Sequence, residues 1–306
     1  MDLSIIIATY NRLWALPEAI GSCRNTKCST EIIVIDDGSD DGTLEWLQGQ
    51  DDLIVLQQAH LGKCWAVNKG FNIARGKYIR FLDSDDMINK FANDEQFELA
   101  ERTSADVAVS GYQVMNNSKE VIRKQSWIET DDFIAQQLGE CDSSHYSAYL
   151  FRKKFIEDIP HRPDFALRDD RLFVLEAALK DPKVAIHSGT ALLHRIDHAD
   201  RLQVTSGLKL SVQNAQHLNI YKFVLNQLAS QKRLTKRRID AAIKPLWPLA
   251  HWIAKDHLSD ALLLVKWINE LDPGFSIPEK GLLGWMYKNL GFKVTEQLLA
   301  VRRSLK

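Results

Sequence analysis

The sequence predicts an α/β fold with a doubly wound, mostly parallel sheet, followed by an all-helical C-terminal region. Two observations predict the sheet. Apolar runs of strand length alternate with helix patterns over about the first ninety residues, and these runs are continuously apolar, as in strands covered on both faces. A third observation separates the C-terminal region, because only helix patterns remain from about residue 208 onward. We therefore expect a domain boundary near residue 205.

The first part reads as regular alternation of strands and helices. Strands are expected at 3–9, 31–35, 53–57 and 77–82, and helices at 14–23, 42–49 and 63–75. The runs at 3–9 and 31–35 are the clearest buried strands, and Gly76 closes the third helix. Such βα alternation is typical of a parallel sheet.

The pattern changes after a helix expected at 90–102. Strands are then expected at 107–115, 121–127, 183–187 and 190–196, and helices at 130–138 and 170–180. In the C-terminal region, helix breaks are expected at Pro245, Pro248, Pro273-Gly274, Pro278 and Gly291. The predicted organisation is a domain at 1–205, in two parts (1–105 and 106–205), and a helical region at 206–306.

The charge is unevenly distributed along the 306 residues, although the net charge is only -1. Residues 209–306 hold sixteen Lys or Arg and seven Asp or Glu, whereas residues 1–208 hold 23 and 33. Such asymmetry indicates different partners for the two parts. An acidic part that binds cations fits the first, and an anionic surface, either a membrane or a polyanionic acceptor, fits the second.

Cysteine spacing and hydropathy exclude several classes of protein. The four cysteines form no CxxC pair, which argues against zinc and disulfide scaffolds. No apolar run approaches the roughly 20 residues of a spanning helix, and Met1-Asp2 leads directly into a strand pattern without a signal peptide. We expect a cytoplasmic protein, soluble or peripheral to the inner face of the membrane.

Three carboxylates follow the strand at 77–82, namely Asp83, Asp85 and Asp86. Like charges so close together repel unless a cation lies among them. Oxygen-rich sites suit Mg²⁺ or Mn²⁺, especially with phosphate oxygens, and the carboxyl end of a parallel strand is where such sheets bind ligands. A turn that caps the next helix needs one aspartate only. The cluster therefore predicts a metal and phosphate site.

Several motifs occur in a specific order: Ile6-Ile7-Ala8-Thr9-Tyr10-Asn11-Arg12, Val34-Ile35-Asp36-Asp37-Gly38-Ser39-Asp40-Asp41-Gly42-Thr43, Asn68-x-Gly70, Ala74-Arg75-Gly76-Lys77-Tyr78-Ile79 and Phe81-Leu82-Asp83-Ser84-Asp85-Asp86. This order closely resembles glycosyltransferase family 2 on the GT-A fold, of the bacterial surface-glycan type. The match is strong over residues 3–87 and weaker to about 205. It implies a GT-A domain that binds a nucleotide-sugar, with a UDP-sugar favoured. Residues 1–105 would bind this donor, and residues 106–205 would form the acceptor side.

The resemblance implies a donor site at the ends of the first two strands. Tyr10 would stack on the base, Thr9 would contact its edge, and the same loop includes Asn11 and Arg12. Asp37 would accept the uracil N3–H, a role that suits a fixed carboxylate, and Asp36 would support the pocket. The residues alone leave another interpretation open, in which both aspartates cap the following helix.

The resemblance also implies the metal ligands. Asp85 would coordinate Mn²⁺ or Mg²⁺ directly, with Asp83 and Ser84 nearer the ribose and the water shell of the ion, which bridges the diphosphate as a Lewis acid. Lys63 would reach a phosphate or these carboxylates, or would be a solvated surface lysine. Asn68 is assigned to the donor, or alternatively links its helix to the sheet.

The family places a catalytic base on an acidic pair that opens a helix, because an acceptor hydroxyl needs a base to become a good nucleophile. Asp170 aligns with that base, and Asp169 stands where a glutamate is usual. Arg168 and Arg171 flank the pair and are expected to lower the pKa of the base. The alternative is a helix N-terminus stabilised by acidic residues against its dipole.

The segment from His194 to His198 resembles the family segment that closes over the donor. His198 matches the family position better than His194, and would bind the diphosphate or the metal ion. The alternative is a plain surface or core histidine.

The C-terminal helices combine basic residues with tryptophans. A basic cluster lies at 232–238, an amphipathic segment at 294–306, and tryptophans stand at positions 247, 252, 267 and 285. Such helices suit an anionic membrane surface that receives a lipid-linked or anionic glycan acceptor. The ordinary alternative is a helical bundle that buries its aromatic residues.

Together these features predict an inverting, metal-dependent glycosyltransferase that adds a single sugar to an acceptor hydroxyl in surface polysaccharide or lipopolysaccharide assembly. The chain lacks the Gln-x-x-Arg-Trp signature of processive synthases. A sugar nucleotidyltransferase would need a glycine-rich loop after the first strand, where Thr9-Tyr10-Asn11-Arg12 stands. A non-catalytic, glycan-binding member of the same fold is a further alternative. No nucleic-acid motif is present, and no oligomeric state is predicted.

Overall fold

A computed structural model describes residues 1–116, 118–196 and 207–304 of the chain. These residues form two compact units. One consists of residues 1–133 and 142–196, and the other of residues 134–141 and those from 207 onward. The boundary expected near residue 205 lies outside the described residues.

The strands of the first unit form a single sheet. They are β1 (Leu3–Thr9), β2 (Thr30–Asp36), β3 (Leu53–Gln57), β4 (Tyr78–Asp83), β5 (Met87–Ile88), β6 (Val107–Met115), β7 (Val121–Gln125), β8 (Leu150–Arg152) and β9 (Val184–Arg195). Their order is β3-β2-β1-β4-β8-β6-β9-β5, with β7 paired to β6. The strands β1 to β4 are mutually parallel, as expected. Beyond β4 the sheet is mixed, because β8 runs antiparallel to both β4 and β6.

The helices are α1 (Leu16–Cys23), α2 (Thr43–Gln48), α3 (Lys63–Ile73), α4 (Ala92–Thr103), α5 (Phe133–Leu138), α6 (Lys153–Ile156), α7 (Asp169–Leu179), α8 (Gly207–Ser230), α9 (Lys236–Ala254), α10 (Leu258–Leu271) and α11 (Gly281–Ser304). The bounds of α1 to α4 agree with the sequence prediction within two residues. The described residues from 207 onward form only helices and their connections, as predicted.

The continuously apolar strands are covered on both faces, which confirms the sequence prediction. In β1, Ile5 and Ile7 belong to one apolar cluster, whereas Ile6 belongs to the other. Helix α3 approaches one face closely through Gly70, where a Cβ would lie 2.5 Å from Ile35 Cδ1. The N-terminus of α3 lies at the carboxyl end of β4, where Lys63 contacts Asp83 and where the candidate site lies.

Arg80 of β4 is fully buried among neutral hydrogen-bond partners. Its guanidinium donates to Asn93 Oδ1 (2.8 Å), to the Ser147 carbonyl (2.9 Å) and to Gln96 Oε1. Burial lowers the pKa of Arg80 to about 10. The arginine therefore connects the central strand to α4 and to the segment before β8.

Replacing Arg80 by methionine is expected to lower the free energy of unfolding by about 1–3 kcal/mol, because the substitution leaves buried acceptors without a donor. Urea denaturation measures this loss. The matched control is Arg24→Met, which breaks a solvent-exposed ion pair with Asp52 and is expected to cost less than about 1 kcal/mol. Equal losses in the two variants would contradict a structural role for Arg80.

In the helical unit, the helix breaks expected at Pro245 and Pro248 are wrong, because α9 continues through both prolines. Each proline removes one helix hydrogen bond without ending the helix. The backbone at Gly139 approaches so closely that a Cβ there would lie 2.9 Å from Pro245 Cδ. The break expected at Gly291 is confirmed as a kink in α11, with φ 76° and ψ 168°.

The segment 134–141 belongs to the helical unit, and its expected place on the acceptor side of the first domain is therefore wrong. Its contacts explain the grouping. Tyr221 donates a hydrogen bond to the Leu138 carbonyl at 3.0 Å, and Arg237 forms an ion pair with Glu140. Within residues 1–116, 118–196 and 207–304, no helix has the length and hydropathy needed to cross a membrane.

Candidate active site

The carboxyl ends of β1, β2 and β4 lie side by side. In the strand register, Thr9 is opposite Asp36, and Ala8 is opposite Asp83. Parallel strands bring the loops that follow them to one edge of the sheet, where α/β folds bind ligands. The donor-site and metal-site aspartates predicted from separate motifs therefore share this edge.

Lys63, the first residue of α3, bridges two carboxylates at this edge. Its Nζ lies 2.8 Å from Asp83 Oδ1, and 3.0 and 3.1 Å from the two carboxylate oxygens of Asp170. Burial alone would raise the pKa of Asp83, but the charges of Lys63 and His145 outweigh it and lower that pKa. A single ammonium group thus connects Asp83, which is predicted to lie at the donor, to Asp170, the candidate base.

The pKa of Asp170 is raised, chiefly by burial and then by the charge of Asp169, while the Lys63 ammonium opposes the shift. The expectation that Arg168 and Arg171 lower this pKa is wrong, since burial and Asp169 dominate. About a third of the Asp170 side chain (34%) remains exposed, so solvent screening limits the shift. A carboxylate with a raised pKa is a stronger base than an ordinary one.

Asp169, the residue before the candidate base, is buried and is held by contacts with neighbouring side chains. Its Oδ2 lies 3.0 Å from His161 Nδ1, and the other ring nitrogen of His161 lies 2.6 Å from the Tyr146 hydroxyl. The Asn68 amide donates to the His161 carbonyl (2.7 Å) and accepts from its N–H (2.8 Å). These contacts support the structural alternative for Asn68, a link between α3 and the segment before α7, and its assignment to the donor stays a prediction.

The predicted donor site contains two buried polar atoms without a hydrogen-bond partner among the residues described, Thr9 Oγ1 and Asp36 Oδ1. The other Asp36 oxygen accepts from the N–H groups of Gly38 and Ser39. Buried polar atoms normally have a partner, so orphaned ones call for an explanation such as a ligand or an ordered water. The position of Thr9 and Asp36 opposite each other agrees with a donor site here.

Asp37 holds the loop that leads into α3. Its carboxylate accepts hydrogen bonds from Gln58 Nε2 (2.7 Å) and from the N–H groups of Leu61 and Gly62 (both 2.9 Å), and lies 3.0 Å from His60 Nδ1. His60 in turn stacks on Tyr10, with ring centroids 4.0 Å apart. Asp37 thereby positions the aromatic pair at the predicted base site, and its direct contact with the base stays a prediction.

Asn11 and Arg12 connect the loops after β1 and β2. Asn11 has a left-handed backbone conformation (φ 50°) and exchanges hydrogen bonds with Asp40 at 2.8 and 2.9 Å. The Arg12 N–H donates to Thr43 Oγ1, and its charge acts to lower the pKa of Asp85. The loop is therefore fixed by Asn11, while Arg12 acts on the acidic cluster.

The acidic cluster has the chemistry of a divalent-cation site. Burial and the negative charges of Asp86 and Asp83 raise the pKa of Asp85 to about 6, with Arg12 opposing. A bound cation would relieve that repulsion, and carboxylate oxygens are ligands that Mg²⁺ and Mn²⁺ prefer. Ser84, between the two predicted ligands, is buried. The residues present therefore fit the predicted ion.

A second group of potential ligands lies beside this cluster. Asp86, His145 and His194 offer ligand atoms within 4.8 Å of one another. His194 Nδ1 lies 3.0 Å from Asp86 Oδ2, and its ring stacks on His145 at 4.5 Å. In the part of the chain that the structure describes, His161, Asp169 and Asp170 form the only other such group. His198, the predicted ligand, lies outside the described residues.

Sequence reasoning missed His145 and His161. Neither belongs to a motif, and His145 reaches the site only because the chain before β8 crosses the carboxyl end of β4, with Nε2 4.0 Å from Asp83 Oδ2. His161 precedes Asp169 by eight residues, a separation that carries no periodic signal. Only tertiary structure brings these histidines to the aspartates.

A family model described as "Glycosyl transferase family 2" matches residues 4–159. Among curated relatives, the succinoglycan biosynthesis protein ExoO of Rhizobium meliloti (strain 1021) is 25% identical over 296 residues, which cover 84% of each chain. Two further relatives are the uncharacterized glycosyltransferases alr2836 of Nostoc sp. (strain PCC 7120 / SAG 25.82 / UTEX 2576) and EpsJ of Bacillus subtilis (strain 168). The matches to them cover only 29% and 52% of their own length.

Two kinds of solved structure share the fold. TarS of S. aureus in complex with UDP-GlcNAc gives a TM-score of 0.57 at 16% identity, covering 99% of this chain and 92% of that one. The mannosyltransferase PcManGT from Pyrobaculum calidifontis, in complex with GDP-Man and Mn²⁺, gives a TM-score of 0.51 at 13% identity. That match covers 98% of this chain and 87% of PcManGT. At these identities the likeness shows the fold alone, a mixed GT-A-like sheet with a C-terminal helical region.

Proposed function

This chain belongs to glycosyltransferase family 2, and from that premise we propose that it moves one sugar from a UDP-linked donor to an acceptor hydroxyl in bacterial surface polysaccharide or lipopolysaccharide assembly. The transfer inverts the anomeric centre and depends on a divalent ion. The observation that carries this proposal is the Lys63 bridge, which holds the donor-side Asp83 and the candidate base Asp170 on one ammonium group.

The donor is assigned to the strand edge. The nucleoside lies against the stacked pair of Tyr10 and His60, near the orphaned atoms of Thr9 and Asp36. TarS has been solved with UDP-GlcNAc and PcManGT with GDP-Man and Mn²⁺, which supports a nucleotide-sugar and a divalent ion here. The residues proposed to hold the ribose, the diphosphate and the ion are Asp83, Ser84, Asp85, Lys63 and Arg12. When bound, the ion neutralises charge that develops on the leaving diphosphate.

Asp170 is the proposed general base. Its carboxylate takes the proton of the acceptor hydroxyl while that oxygen attacks the anomeric carbon on the face opposite the diphosphate. The new glycosidic bond forms as the bond to the UDP oxygen breaks, so the configuration inverts. Asp169, fixed by His161, keeps a second negative charge behind the base and raises its pKa.

The Lys63 charge sets the pH at which the base becomes active. Because Lys63 lowers the raised pKa of Asp170, Lys63→Met is expected to raise that pKa further and to move the acidic limb of kcat/KM upward by about 1–3 pH units. Transfer needs the ionised base, so activity falls as the pH decreases through the pKa of Asp170. Lys63→Arg keeps the positive charge, and its acidic limb is expected at the same pH as in the wild type. A pH profile of kcat/KM measures the shift, and superimposable limbs for both variants would contradict this role.

The direct test of the proposed function is a thermal-shift screen of nucleotide sugars with and without Mn²⁺, followed by transfer to a glycan acceptor. We expect a UDP-sugar to stabilise the protein more with Mn²⁺ than without it. NMR of the product is expected to show the anomeric configuration opposite to that of the donor. A product with retained configuration, or a chain that no nucleotide sugar stabilises, would refute the proposal.

We assign contact with an anionic membrane surface, within this proposal, to α11. This helix exposes Leu282, Trp285 and Val301, and it ends in the cations Arg302 and Arg303. Both segments of α11, before and after the kink at Gly291, expose apolar side chains, and helices that combine exposed apolar and basic residues bind in an interface plane. Co-sedimentation is expected with vesicles that contain phosphatidylglycerol but not with neutral ones, and Trp285→Ala is expected to weaken it. Vesicle binding that changes with neither the salt concentration nor the charge of the lipid would contradict this assignment.

A further inference from the structure

The helical unit contains a cavity of about 190 Å³ that no residue of the carboxylate site lines. Its wall is formed by α8, by the end of α9 and by α10. The cavity combines an apolar part, which includes the buried side chains of Ile253 and Leu264, with several polar side chains. Small-molecule sites have this composition, with a few placed polar groups in an apolar pocket.

Asn214 of α8 is the most informative of these polar groups. It lines the cavity and is only 7% exposed, yet its side chain forms no hydrogen bond with any residue in the described parts of the chain. The Asn214 amide atoms are not among the fully buried polar atoms that lack a partner, so they are accessible from the cavity, where an amide can both donate and accept. A ligand in the cavity that offers a donor or an acceptor would satisfy this amide.

Trp252 supplies a flat apolar surface at the same cavity. Its side chain is 47% exposed, and Lys255 Nζ lies over the ring at 3.5 Å from the centroid. The indole ring also lines the cavity. An exposed tryptophan beside a cavity is typical of a binding surface, because the ring offers a large apolar area that loses little entropy on binding.

The remaining polar groups specify the ligand class. Asp256 and Asp260 are exposed acceptors that form no ion pair within the described residues, whereas Asn219 and Lys222 offer donors. A phosphate would be repelled by the two carboxylates. The groups of potential metal ligands in residues 1–116, 118–196 and 207–304 both lie elsewhere. An acyl chain would leave the Asn214 amide unpaired.

A sugar ring satisfies all of these groups. Its hydroxyls both donate and accept, so they match carboxylates, amides and an ammonium together, while its C–H face is apolar and suits the indole ring. We propose that this cavity binds one sugar residue of the acceptor glycan. That the sugar belongs to the acceptor glycan rests on the proposed function. That a sugar binds in this cavity rests on Asn214, Trp252 and the two aspartates.

Saturation-transfer NMR with the methyl glycosides of glucose, galactose, mannose and N-acetylglucosamine tests the proposal on the full chain. At least one glycoside is expected to bind, and Asn214→Leu and Trp252→Ala are each expected to weaken it about tenfold. Trp65→Ala, at an exposed tryptophan of α3 outside the cavity, is the matched control and is expected to bind as wild type. Thermal melting checks that each variant is folded, and Trp252, being exposed, provides a variant with little risk to folding.

The readout needs no turnover, so its failure is distinguishable from failure of the proposed function. Asp85→Ala is expected to keep glycoside binding, and Asn214→Leu is expected to keep UDP binding. The proposal is overturned if no glycoside binds, or if binding persists in both cavity variants. It is also overturned if methylammonium, tested as a simple cation, binds in the cavity whereas none of the glycosides does.

Discussion

Replacing Asp170 by asparagine is expected to lower kcat by about 10²–10⁴-fold, the contribution typical of a general base. The amide has nearly the same shape and can still accept a hydrogen bond from Lys63, but it cannot take a proton from the acceptor. Because Asp170 is not assigned to the nucleoside, affinity for UDP is expected to stay as in the wild type. Steady-state release of UDP measures kcat, and calorimetry measures the affinity.

Asp164→Asn is the matched control for this experiment. Asp164 lies six residues before Asp170 on an exposed 3₁₀ turn, Pro163–Phe165, and forms an ion pair with Arg162. Its replacement is expected to leave kcat unchanged. A base at Asp170 would be excluded if both asparagine variants retained wild-type turnover.

Replacing Asp85 by alanine is expected to lower the rate of transfer by about 10³-fold, because a Lewis acid supplies several kcal/mol of stabilisation to the departing diphosphate. The same variant is expected to bind UDP equally with and without Mn²⁺. Removal of Mn²⁺ from the wild type with a chelator is expected to reproduce the loss. Donor hydrolysis and transfer, each measured with Mn²⁺, report the effect.

Asp51→Asn, in the exposed turn before β3, is the control for Asp85. It changes the net charge by one unit without touching the strand edge. Equal hydrolysis rates for wild type and Asp85→Ala would defeat the catalytic interpretation and favour a non-catalytic, glycan-binding member of the family.

Much of the fold is predictable from the sequence because β1 and β2 are covered on both faces. Burial on both sides forces continuous apolar runs, and these give the bounds of strands and of the helices between them. Strand β8 could not be predicted, because three residues carry no period. The breaks expected at Pro245 and Pro248 were wrong because a proline removes a single hydrogen bond and need not end a helix, and α9 continues through both.

Some features of the candidate site could also be predicted, whereas others could not. The positions of Asp36 and Asp83 were predictable because each ends a parallel strand, and such ends meet at one edge of the sheet. The Lys63–Asp170 bridge joins two segments 107 residues apart, so no local pattern reveals it. The raised pKa of Asp170 was also missed, because the sequence shows the neighbouring arginines but not the burial that outweighs them.

The central claim is that carboxylates from separate strand ends hold a cation against a diphosphate. Anomalous diffraction from a crystal containing UDP and Mn²⁺ tests it most directly. The predicted result is one manganese peak within coordination distance of an Asp85 oxygen and of the UDP diphosphate, with the base ring against Tyr10. A UDP molecule bound at this edge with no manganese peak beside Asp85 would contradict the account.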